Sequence, residues 1–152
     1  LATILLATGD YYQAERIPDA EKEYRVVLTL DDHAAVAANN LAGIYASNNR
    51  NLDDALQLAL IAAHRLPDEP HVNDTLGWVY YRKHLAVPAV KCLEASVKAD
   101  STDPVTHYHL GMAYLQAGDA TGAKRSLRRA LAMQPNFEGA KEARDTIAGI
   151  GR

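Results

Sequence analysis

Apolar and small residues return at a fixed interval along this chain. Leu76-Gly77, Tyr80, Ala89 and Leu93 recur 34 residues later as Leu110-Gly111, Tyr114, Ala123 and Leu127. Within each block the apolar positions fall at helical spacing, so each block predicts two amphipathic helices. The pattern extends backwards: Leu41, Ala42 and Tyr45 precede Leu76, Gly77 and Tyr80 by 35, whereas Ala55, Ala59, Ala62 and Pro67 precede Ala89, Leu93, Ser96 and Ser101 by 34. One extra residue therefore lies in the turn-like stretch Ser47-Asn48-Asn49-Arg50-Asn51. A weaker copy opens the chain, with Tyr11, Ala20, Tyr24 and Val27 in matching places. Four blocks result, 1–34, 35–69, 70–103 and 104–137. A period of this length predicts an all-α solenoid of helical hairpins, each burying its apolar face on its neighbours.

The small residues Ala42, Gly77 and Gly111, with Ala20, Ala55, Ala89 and Ala123, mark where two helices of a hairpin approach closely. Leu41, Leu76, Leu110 and Tyr45, Tyr80, Tyr114 fill the space beside them. Turns are expected at Gly118-Asp119, and Pro18 and Pro88 fall early in second helices, where a missing N–H costs little. Glu69-Pro70 and Asp103-Pro104 open first helices in the same way. After Phe137, Lys141, Glu142, Arg144 and Asp145 surround Ala140, Ala143 and Ile147. This predicts a final helix over 138–149 that covers the last repeat with a polar outer side, followed by a fraying Gly149–Arg152 end.

These blocks resemble the tetratricopeptide repeat (TPR) family. The last matches best, with His107 at the large-residue place, then Leu110-Gly111, Tyr114, Gly118-Asp119, Ala123, Leu127, Ala130 and Pro135. The third departs at Asn73, Ser96 and Ser101, and the first departs most, with Ala7-Thr8 for Leu-Gly and Asp32 for Pro. The resemblance implies a right-handed superhelix of four hairpins plus a capping helix, all one domain over 1–152. It also implies a concave groove lined by first helices. Carried onto this chain, the groove takes Asn39, Asn40 and Gly43, then His71, Asp74, Trp78, Tyr81 and Arg82, then Tyr108, His109, Met112, Leu115 and Gln116, with Tyr12 and Gln13 extending the line. Aromatic residues and Met there are the types that anchor peptides and helices, so Trp78, Tyr81, Tyr108 and Met112 are expected to be partly exposed. The alternative is that Trp78 and Tyr108 pack on each other as core. Members of the family that clamp acidic chaperone tails use basic and Asn side chains. Asn40 fits one clamp place, but His71 and Thr75 stand where Lys and Arg would be needed. The third and fourth blocks also look like the C-terminal repeats of bacterial TPR proteins, several of them linked to exopolysaccharide export and exosortase systems.

Composition narrows the chemistry. At 152 residues and 48% hydrophobic the chain can bury a continuous core in one domain. It begins with Leu, which suggests a fragment or a processed product, and the resemblance implies that it comes from a larger bacterial protein; Leu1–Thr8 is too short for a membrane span and lacks a basic flank. The formal charge of −3 is uneven: seven Lys/Arg stand against four acids from Pro104 onward, leaving about −6 on the remainder. Lys124-Arg125 and Arg128-Arg129 share one helix. They read either as a patch for nucleic acid or an acidic partner, or as a solvated face that complements the helix dipole. The second reading is preferred, because no aromatics interleave.

Gly118 to Ser126 looks glancingly like a phosphate loop, but it has three residues between its glycines, no Gly-Lys-Ser/Thr and no preceding strand. His107 and His109 point to different faces of a helix, and His33, His64, His71 and His84 have no carboxylate or His partner that the repeat would bring near. Cys92 is the only cysteine, which excludes an internal disulfide and suits packing better than nucleophilic attack. The expectation is a non-enzymatic scaffold with no catalytic residues, cofactor or metal. It would hold a protein or peptide in its groove, bind no nucleic acid and insert in no membrane. Self-association is expected through the first repeat, whose Leu5 and Leu6 would be uncovered.

Overall fold

The computed structural model describes residues 17–150. Among these residues there are eight helices and no strand: α1 Ile17–Leu30, α2 Ala35–Ser47, α3 Leu52–Arg65, α4 Pro70–Arg82, α5 Ala86–Ala99, α6 Pro104–Gln116, α7 Ala120–Met133 and α8 Ala140–Ile150. The pairs α2/α3, α4/α5 and α6/α7 form hairpins, and α3 packs on α4, α5 on α6 and α7 on α8. The first helices α2, α4 and α6 also touch one another side by side. This is the helical-repeat solenoid that the 34-residue period predicts. The stretch expected to form the first helix of the opening repeat, with Tyr11, Ala7-Thr8, Leu5, Leu6, Tyr12 and Gln13, lies outside the described residues, as does the Gly151-Arg152 end.

Why these residues make hairpins is clearest at the glycines. A β-carbon on Gly77 would come within 2.5 Å of Leu93 Cγ and 3.2 Å of the Ala89 carbonyl. One on Gly111 would meet Leu127 Cγ at 2.6 Å and the Ala123 carbonyl at 3.2 Å. Glycine lets the two backbones close, and fully buried Leu93 and Leu127 fill the notch.

The first helices α2, α4 and α6 end in the same way. Asn49, His84 and Gly118 take left-handed backbone, with φ of 50°, 59° and 86°. The amides of Arg50, Leu85 and Asp119 then bond back to the carbonyls of Tyr45, Tyr80 and Tyr114 at 2.9–3.0 Å. These are Schellman closures. The extra residue of the second repeat is absorbed by a second left-handed position, Asn51 at φ 48°.

Departures from the family pattern have local explanations. Asn73 donates to the Pro67 carbonyl at 2.9 Å, and His107 Nε2 reaches the Ser101 carbonyl at 3.1 Å, so polar side chains at this place tie down the preceding turn. Ser96 Oγ donates to the Pro70 carbonyl at 2.8 Å. The phosphate-loop look-alike is a capped turn, in which Asp119 accepts from the Gly122 amide at 2.8 Å. The final helix starts at Ala140 instead of 138. Gly139 has φ 97°, and the Tyr108 ring lies 2.8 Å from where its β-carbon would be, so the chain turns there before the helix begins. Gly149 and Ile150 are still helical.

Candidate functional site

The row of first helices does not stop at α6. Tyr108 donates from its hydroxyl to Glu142 on α8 at 2.7 Å, and Thr146 on α8 donates to Met112 Sδ at 3.9 Å. Both pairs are 34 residues apart, so α8 occupies the place of a further first helix. Asp74 and His109 join α4 to α6 in the same manner, with Nδ1 2.9 Å from the carboxylate.

On α4, Asp74, Trp78, Tyr81 and Arg82 follow one helical stripe. Trp78 stacks on Tyr81 at 4.6 Å between centroids and on His109 at 4.0 Å, both nearly parallel. Tyr108 approaches it tilted at 5.9 Å, and the Arg82 guanidinium stands 5.6 Å over its ring. The centre of the cluster is closed, while Tyr81, Arg82 and His109 around it are half-buried. Trp78 is only 8% exposed, Tyr108 6% and Met112 7%, which corrects the expectation of partial exposure at these three, whereas Tyr81 is half-buried as expected. The cause is physical: the Asp74 carboxylate fixes His109 flat against the indole, and Phe137 packs on Tyr108, with ring centroids 5.7 Å apart. Burial first, and the Glu142 carboxylate second, hold the Tyr108 phenol far above its ordinary range, while burial raises that of Tyr81. The alternative in which Trp78 and Tyr108 are core describes these two rings.

Polar atoms around the cluster are left unsatisfied within the chain. Asn39 Oδ1, Arg82 Nε and Gln116 Oε1 are buried atoms without a hydrogen-bond partner, one on each of α2, α4 and α6. Gln116 spends its amide nitrogen on the Tyr81 carbonyl and His84 Nδ1, each at 3.2 Å. Leu115 is 36% exposed beside it. Gly43 faces Thr75 Cγ2 across an ordinary gap, 4.0 Å from where a β-carbon would sit. Two predicted positions are not drawn into this set. Asn40 turns towards α1 and donates to the Tyr24 hydroxyl at 3.1 Å, and His71 is exposed, with the Asp100 carboxylate as its charged neighbour. The sequence reading missed Phe137, Glu142 and Thr146; the 34-residue step from Tyr108 and Met112 would have found the last two.

His33 has carboxylate neighbours that come from its own turn and not from the repeat. In the turn after α1 its Nδ1 pairs with Asp32 and its amide donates to Asp31 at 2.9 Å. The three offer ligand atoms within 4.8 Å of one another, all on exposed residues. No helix among the described residues is long and apolar enough to cross a membrane.

Residues 104–137 match the family model described as tetratricopeptide repeat. The TPR repeat-containing protein PA4667 of Pseudomonas aeruginosa is 30% identical over 79 residues, which cover 51% of this chain and 13% of that relative. The chain thus spans a small part of the curated relative it matches. Among solved structures, MamA of MSR-1 is similar with a TM-score of 0.68 and 25% identity, over 92% of this chain and 83% of that one. TTC0263, a thermophilic TPR protein of Thermus thermophilus, gives 0.71 at 19% identity, over 98% and 77%. The first TPR of Spaghetti (RPAP3), bound to the HSP90 peptide SRMEEVD, gives 0.66 at 19% identity, over 80% and 97%. These likenesses support the TPR family and the solenoid fold; repeats of this kind are in general non-enzymatic protein-interaction scaffolds.

Proposed function

We propose that this chain is a non-enzymatic scaffold that holds a peptide, helix or partner subunit along the row α2, α4, α6 and α8. The observation that carries the reading is the set of three unpartnered polar atoms, Asn39 Oδ1, Arg82 Nε and Gln116 Oε1. A buried polar group without a partner costs about 1–3 kcal/mol, so each favours a ligand group that completes it. Asn39 and Gln116 offer acceptors suited to a ligand's N–H groups, and Arg82 offers a donor. The Trp78 stack serves as a rigid support under these groups, and exposed Leu115 gives the apolar contact.

The acidic tail seen with the Spaghetti repeats does not suit this groove. Asn40 is engaged by Tyr24, His71 is an exposed imidazole where a permanent cation would be needed, and Asp74 and Glu142 place carboxylates in the row. A neutral or basic segment fits better. The test is site-specific photo-cross-linking in source cells, with the photoreactive residue at Leu115 or at Val87, which is 80% exposed on α5. Adducts to one defined partner segment are expected from position 115 and not from 87; equal labelling from both positions would count against a groove.

A second reading is a self-associating spacer, in an envelope or exopolysaccharide assembly. Leu30 is 84% exposed, and Val26 and Val36 are each 48% exposed on neighbouring helices, which supports an apolar contact near the start of the solenoid. Light scattering separates the readings: a concentration-dependent oligomer abolished by Leu30→Asp favours the spacer, and a monomer at every concentration removes it.

A further inference from the structure

Repetition separates what the fold requires from what it does not, because packing needs recur in every repeat. The cleft between α5 and α7 breaks the repetition. It encloses about 450 Å³. Its floor is Leu110 and Tyr114 of α6, with Val97 of α5 beside them. Its rim carries Lys98, Arg125 and Arg129, all exposed and none in an ion pair among the described residues. The one acid there, Glu94, is taken by the Tyr114 hydroxyl, which donates to it at 2.5 Å. One period earlier the three rim positions are His64, Lys91 and Ala95, so a single permanent cation stands where three stand here. The whole of α7, Ala120–Met133, has four cations and no acid. On α6, Leu110 and Tyr114 lie roughly opposite Tyr108 and Met112 around the helix, so this cleft opens away from the groove.

We propose that the α5/α7 cleft docks an acidic segment of a partner protein. Its carboxylates would meet Lys98, Arg125 and Arg129, and an apolar side chain between them would rest on Leu110, Tyr114 and Val97. Two features favour a protein segment over other polyanions. The cleft offers no exposed ring for a base to stack on: Tyr114 is half-buried and held by Glu94, and His107 is buried with its Nε2 on the Ser101 carbonyl. A flat anionic bilayer would reach the rim and leave the apolar floor unused.

The test uses the 152-residue chain and a labelled short peptide of Asp and Glu around a central Leu. The comparison peptides replace the acids by Asn and Gln, or the Leu by Gly. Fluorescence anisotropy should show binding of the acidic peptide, weaker binding without the Leu, and none for the neutral one. Binding should weaken as salt shortens the reach of these exposed charges. Arg125→Glu with Arg129→Glu should weaken it at least about tenfold, with the thermal melt unchanged; Lys98→Ala is the milder variant if the double change disturbs the fold. Gln116→Ala in the groove should leave it unchanged, so failure here is distinguishable from failure of the groove reading. Equal binding of acidic and neutral peptides, or indifference to Arg125→Glu/Arg129→Glu, overturns the proposal. So does stronger binding of a single-stranded RNA or of phosphatidylserine vesicles at matched charge, or a self-association that these variants abolish while peptide binding persists.

Discussion

His84 carries a side chain in left-handed backbone, where an L-residue other than glycine meets its own carbonyl. The last repeat solves the same turn with Gly118. His84→Gly should therefore stabilise the chain by about 1 kcal/mol, and Gly118→Ala should destabilise it by about as much, both read from urea midpoints. Gly77 and Gly111 obey a different constraint, contact instead of conformation. With a β-carbon clashing at 2.5–2.6 Å, Gly77→Leu or Gly111→Leu should cost about 1–3 kcal/mol or more. An unchanged midpoint would contradict the hairpin register. Trp78 belongs to the buried class, so Trp78→Ala should cost about 3–5 kcal/mol; a melt unaffected by that change would show the indole to be free. The small and turn residues were legible in the sequence because packing repeats them. The burial of Trp78 was not, because it depends on His109 being pinned by Asp74 across 35 residues, a pairing that no period announces.

Between elements, ionic and phenolic contacts stitch second helices to the next first helix. Glu21 on α1 receives Arg50, Arg25 and the Tyr45 hydroxyl from around the first hairpin boundary. The Arg50 guanidinium, and then Arg25, hold the Glu21 carboxyl below its usual range, against the opposing effect of burial. A lowered folded-state value means that the unfolded chain binds the proton first. Stability from this contact is thus complete above the ordinary carboxylate range and is lost as pH falls through the lowered value. Glu21→Gln should flatten the acid limb of the stability–pH curve; an unchanged limb would show the contact to be idle. At the other extreme, burial and then Glu94 push the Tyr114 phenol up to about 12. Its contribution is present below pH 10, its ordinary value, and lost as pH rises towards 12, so Tyr114→Phe should reduce the alkaline loss. The elements themselves followed from periodicity. The exact start of α8 did not, because it is set by Gly139 turning against the Tyr108 ring.

For the whole molecule, the stacked hairpins present two faces that differ in chemistry. One is the row of first helices, with a closed aromatic layer and three unsatisfied polar atoms; the other is the α5/α7 cleft, cationic over an apolar floor. The charge imbalance after Pro104 was visible in the sequence, but its concentration at one cleft required knowing which helices flank which floor. In the proposed function the groove holds a protein segment through its unpartnered atoms. Calorimetric titration of the segment captured from position 115 tests it, against the native chain and against Asn39→Ala with Gln116→Ala. Binding at least about tenfold weaker is expected in the double variant, worth roughly 1.4 kcal/mol, with its cooperative melt retained. Undiminished binding by a folded Asn39→Ala/Gln116→Ala chain would contradict it.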